Sequence, residues 1–119
     1  ELTGTGASLF IEDRLSLGAQ TFTMSTGGAA TENLTPTSSY VEVTGQDNAS
    51  DLISIQTGSA KEGDTLIITN TAATNVSVLA NATTKVSGGA NVLLTQYDVI
   101  MLIFDGTNWL QVGAVTANS

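Results

Sequence analysis

The chain has 119 residues, enough for one core without staples. It contains neither cysteine nor histidine, which excludes disulfides, thiolate metal sites and any mechanism that uses an imidazole. Eleven acidic residues oppose three basic ones, Arg14, Lys61 and Lys85, for a net charge of -8. Phosphate backbones and anionic bilayers repel such a chain, so neither nucleic acid nor membrane is expected as a partner.

Only 12% of residues are charged while 41% are apolar, and threonine and the 12 glycines fill the space that helix formers usually take. Threonine with valine and isoleucine favours strands, and glycine with asparagine favours turns, so the composition is all-β. Glu1 opens the chain with no initiator Met and no basic or apolar leader. The expectation is a processed chain or the ordered part of a longer one.

Short alternating runs then follow one another. Ala7–Ile11 (ASLFI) and Gln20–Met24 (QTFTM) read as strands, the second ending at Gly27-Gly28. The segment 25–39 holds the sole proline, Pro36, and shows no period, so a loop or arm is expected there. Tyr40–Val43 and Leu52–Ile55 are the next strands, separated by the turn cluster GQDNASD. Thr65–Thr69, Val76–Leu79, Lys85–Ser87 and Val92–Thr95 follow, with Gly or Asn between them, and a hairpin pairs Val99–Phe104 with Trp109–Val112 across DGTN. The spacing predicts a single antiparallel β-sandwich, or jelly-roll-like domain, over residues 1–119 with nine to eleven short strands. No strict internal repeat is visible.

The run VIMLIF, residues 99–104, does not alternate as a strand with one wet face should. Its second face needs a cover, and a subunit interface at Val99, Met101 and Ile103 is expected in preference to an extra loop layer. The chain is therefore expected to be a homo-oligomer. The longest apolar run has six residues, far short of a membrane span. Trp109 follows the DGTN turn. A four-residue loop pairs it with Phe104 and a two-residue turn pairs it with Leu102; either gives the indole an apolar neighbour, an arrangement worth roughly 0.2–1 kcal/mol. A structural indole is the favoured reading, and a sugar-stacking platform is the rival.

No group of residues declares a chemistry. Asp13, Asp47, Asp51, Asp64, Asp98 and Asp105 could in principle pair for glycoside hydrolysis, but nearly all stand beside Gly or Asn, or at the start of a strand, where aspartate makes local turn bonds. Asp47, Asn48 and Asp51 match no Ca²⁺-loop spacing. The serines have no histidine to activate them, and GTGA and SGGA lack the G-K-[ST] ending of a phosphate loop. No cofactor, metal or catalytic residue is expected. The sequons at Asn33, Asn48, Asn75 and Asn81 carry little weight in so Asn- and Thr-rich a chain.

From Tyr40 to Gly113 the pattern resembles a module of bacteriophage virion proteins. It runs YVEVTGQDNASDLISIQTG, EGDTLIITNT, NVSVLANATTKVSGGANVLL and DVIMLIFDGTNWLQVG, the apolar run closed by DG-x-x-W being its most recognisable part. The resemblance implies β-structured virion parts that assemble as trimers and carry no catalytic residues. The expected function is a capsid decoration or cement protein on the outer surface of the head, with the major capsid protein as partner. The alternative is a domain of a tail fibre or tailspike, in which Trp109 would contact host glycans. A β-structured polysaccharide hydrolase is a third, weaker reading.

Overall fold

The computed structural model describes residues 12–26, 31–46 and 51–118. Among the described residues ten strands form: β1 (Ala19–Thr23), β2 (Thr31–Leu34), β3 (Tyr40–Thr44), β4 (Leu52–Ile55), β5 (Thr65–Asn70), β6 (Val76–Val78), β7 (Thr84–Lys85), β8 (Val92–Leu94), β9 (Val99–Phe104) and β10 (Trp109–Gln111). One short 3-10 turn at Ser87–Gly89 is the sole helical piece among the described residues. The all-β expectation and the strand number agree with this. The expected strand at Ala7–Ile11 lies outside the described residues, as do Asp47 and Asn48.

The strands lie in two sheets, one ordered β1-β3-β5-β9-β10-β7 and the other β2-β4-β6-β8. From β1 to β6 each successive strand crosses to the other sheet. Strands two apart in sequence therefore lie side by side and parallel: β1 with β3, β3 with β5, β2 with β4 and β4 with β6. A parallel pair needs a crossover, and here the strand in the opposite sheet supplies it. These are three coils of a solenoid. The far side is closed by chain reversal, with β9 antiparallel to β5, β8 antiparallel to β6 and β10 antiparallel to β9.

The expected antiparallel sandwich is thus corrected. The two layers are there, but the first six strands stack in parallel coils, because period-2 patterning identifies a strand without fixing the direction of its neighbour. The coils also differ in length, since Tyr40 lies beside both Ala19 and Ile67; a coil repeat of this kind leaves no fixed period in the sequence.

A second correction concerns residues 25–39, expected as a loop or arm, which contain β2. Its core-facing positions are Glu32 and Leu34, in register with the buried Ile53 and Ile55 of β4. A glutamate in an inward position breaks the apolar alternation, so TENL does not read as a strand. In β1 the corresponding inward residue is Gln20, beside Val41. Both polar residues brace the end of the stack. The Glu32 carboxylate accepts from Ser25 N and Ser25 Oγ, both at 2.8 Å. Gln20 donates to Thr35 O at 3.1 Å and accepts from Thr37 N at 2.8 Å. A polar residue at a core-facing position in each outermost strand marks the end of the stack, where a terminal coil differs from the inner ones.

Between the sheets, Val41, Val43, Ile53, Ile55, Leu66, Ile68, Val76, Val78, Leu94, Ile100 and Leu102 are wholly buried. They form cross-strand rows such as Val41–Ile68–Ile100. Of the buried polar residues among those described, Asn70 alone has no exposed surface. Asn70, fully buried at the end of β5, donates to Thr74 O at 2.8 Å and to Leu94 O at 3.0 Å, and accepts from Ala72 N at 3.1 Å. It links the β5 end in one sheet to β8 in the other. Close by, Gly45 is buried where a Cβ would fall onto the Thr74 carbonyl and 2.8 Å from Val76 Cγ2, so a side chain has no room there.

Candidate interaction surface

The outward face of the larger sheet carries the most distinctive surface. In VIMLIF, Ile100, Leu102 and Phe104 point into the core, whereas Met101 and Ile103 are 41% and 39% exposed. The strand alternates after all; its outward residues are simply apolar as well. Register joins them to their neighbours. Tyr40, Ile67 and Met101 lie side by side across β3, β5 and β9, and Val112 N donates to Met101 O, which brings Val112, 44% exposed, to the same row. A second row runs Thr65, Ile103, Leu110, with Lys85 at its end.

Val99 also lies on this face, beside Thr69 at one margin, and its main chain bridges that of Thr116 by two 2.9 Å bonds. The three residues singled out from sequence therefore share one face, and the centre of the apolar patch lies at Met101 and Ile103. Sequence reasoning missed Tyr40, Ile67, Leu110 and Val112. Their alternation with core residues was visible, but only the strand register shows that they adjoin Met101. An antiparallel strand with one solvated face ordinarily carries polar residues there; a patch of this kind is characteristic of an interaction site.

Trp109 lies elsewhere, on the inner side of the sheet. It is in register with Phe104, their ring centroids 5.0 Å apart at an interplanar angle of 46°. DGTN is thus a four-residue loop. Asp105 Oδ1 holds it by accepting from Thr107 N and Asn108 N at 2.9 and 2.6 Å, and the backbone N–H of Asn108, then that of Thr107, keeps the Asp105 carboxyl below its ordinary pKa. The indole is 2% exposed and donates from Nε1 to Gln56 O at 3.2 Å. Neither ring face is open for a sugar to stack on.

Among the described residues no group of three or more carboxylates could hold a metal ion. Asp98 is buried beneath the C-terminal segment. Burial works to raise its pKa, but hydrogen bonds from Thr95 Oγ1 at 2.8 Å, Thr95 N at 2.9 Å and Asn118 N at 3.3 Å prevail and lower it. Asp51, also buried, accepts from Gln46 N. Both are placed as turn-holding acceptors.

A family model described as the phage depolymerase C-terminal β-sandwich domain matches residues 25–110. The chain belongs to this family. Comparison with curated proteins and with solved structures finds no match. The matched span runs from the residue that braces Glu32 through β2–β9 into β10, and so includes most of the apolar face and Trp109. Membership makes the chain a phage structural module of the tail-fibre and spike type. It favours the tail reading over capsid decoration, and the outer surface of the head finds no support in it.

Proposed function

We propose that this chain is a non-catalytic structural module of a phage tailspike or tail fibre that holds copies of the protein together through the outer face of the larger sheet. Membership in a family of depolymerase C-terminal sandwiches supports the tail placement and a non-catalytic role. The exposed row of Met101, Ile103 and Val112 supports the assembly role. Completing the burial of a side chain already more than half buried is worth about 1 kcal/mol. Three protomers that each contribute such a row, together with Tyr40, Ile67 and Leu110, gain several kcal/mol on association. A trimer is the assembly we assign.

Sedimentation equilibrium tests this reading. The expected result is a trimer for the wild-type chain and a folded monomer for Met101→Asp, with the β circular-dichroism spectrum preserved because Met101 points away from the core. A wild-type monomer at micromolar concentration, or an unchanged trimer for Met101→Asp, would contradict it.

A further inference from the structure

The segment before β1 carries apolar side chains that no described residue of its own copy covers. Every residue from Glu12 to Gly18 is exposed, and Leu15 and Leu17 stand 64% and 40% open. Ser38 Oγ ties the segment to the fold by donating to the Gly18 carbonyl. In extended backbone alternate side chains share a face. Laid out as a strand, the segment therefore presents Asp13, Leu15 and Leu17 on one side. The row Lys85, Leu110, Ile103 on the outer face of the larger sheet has the matching order, one charge followed by two apolar side chains. Among the described residues Lys85 Nζ donates only to Asn81 O, at 3.4 Å, and meets no carboxylate.

The lengths agree as well. At about 3.3 Å per residue, Asp13 to Leu17 spans roughly 13 Å. Lys85 to Ile103 crosses two strand spacings and Thr65 lies one further on, roughly 10 to 14 Å. Within one copy the same register is out of reach. Leu17 precedes Ala19 of β1 by two residues, a reach of at most about 7 Å, whereas Ile103 lies three strand spacings from β1, roughly 14 Å. Leu15 falls short of Leu110 in the same way, about 14 Å against roughly 19 Å. We propose that Asp13–Leu17 of one copy lies across the Lys85–Leu110–Ile103 row of the next, with Asp13 paired to Lys85 and the leucines covering Leu110 and Ile103. The contact rests on the assembly reading and names what covers this second row, leaving the Met101 row to the contact between faces. It is heterologous, and three such contacts close into a ring.

The chain has no cysteine, so an engineered disulfide reports the contact without background. The full chain carrying Leu15→Cys and Ile103→Cys is oxidised and resolved by non-reducing electrophoresis. A chain carrying Leu15→Cys and Leu93→Cys, the second site exposed on the smaller sheet, is the comparison. The expected result is covalent dimers and trimers for the first pair and little linkage for the second. A disulfide closed within one copy, no linkage, or equal linkage in the comparison pair overturns the proposal. Sedimentation equilibrium of the wild-type chain separates two failures. A trimer without the cross-link removes the segment contact alone, whereas a monomer removes the assembly reading with it. Both leucines are exposed, so Leu15→Ser with Leu17→Ser leaves the fold intact and is expected to raise the dissociation constant of the trimer about tenfold or more; an unaltered constant overturns the proposal. Lys85→Glu is expected to weaken association and Asp13→Lys in the same chain to restore it, and failure to restore it overturns the pairing.

Discussion

Replacing Asn70 with alanine removes a node that joins the two sheets without touching any apolar contact of comparable size. Three main-chain groups lose their partner: Leu94 O, whose bond is fully buried, and Thr74 O and Ala72 N, whose bonds are partly buried. A buried group left unsatisfied costs about 1–3 kcal/mol, and a partly buried one that water can reach costs roughly 1. The sum is about 3–5 kcal/mol, a large share of the 5–15 kcal/mol typical of a small domain. At roughly 4 °C per kcal/mol for a chain of this length, the midpoint should fall by about 12–20 °C. Asn70→Asp should be worse still, since a carboxylate cannot donate and sets a charge against two carbonyl oxygens. Thermal and urea denaturation at one fixed protein concentration measure both, the concentration being held because association shifts the midpoint. A loss under about 1 kcal/mol for Asn70→Ala would refute the assignment of Asn70 as the link between β5 and β8.

Three further perturbations probe other parts of the fold. Gly45→Ala forces a methyl against the Thr74 carbonyl and Val76, and should cost about 2 kcal/mol or more in urea denaturation; a neutral result would mean the neighbouring turn yields freely. Thr84 is 1% exposed, and its Oγ1 makes no hydrogen bond among the described residues. Thr84→Val should therefore raise the midpoint, by about 1 kcal/mol of recovered desolvation, and a lower midpoint would reveal a partner for the hydroxyl. Asp98 binds its proton less readily in the folded chain than in the unfolded one, so its contribution is complete above the ordinary carboxylate range and is lost as pH falls through the lowered value. Asp98→Asn should flatten the acid limb of the midpoint-versus-pH curve, and an identical limb in both proteins would contradict the role assigned to its Thr95 and Asn118 bonds.

Much of the fold was legible where local rules govern it. TLIIT, VIMLIF and the DGTN hairpin read as strands and turn because β-branched residues, glycine and aspartate act locally there. Gly106 fits the same turn with φ at +97°. What stayed hidden depends on relations between distant residues. β2 was missed because Glu32 occupies a core-facing position whose cost is offset by Ser25, seven residues earlier. The parallel coils were missed because nothing in a strand's own residues states which way its neighbour runs. The candidate surface was half legible: the apolar outward residues of VIMLIF were evident, but Tyr40, Ile67 and Val112 join them only through the register of four strands.

The most direct test of tail placement is the number of copies of this chain per phage particle. Purified particles from its source are quantified by mass spectrometry against their major capsid protein. The account predicts a small number of copies, a multiple of three, that stay with tails when heads and tails are separated. Hundreds of copies that stay with the heads would contradict it and restore the decoration reading.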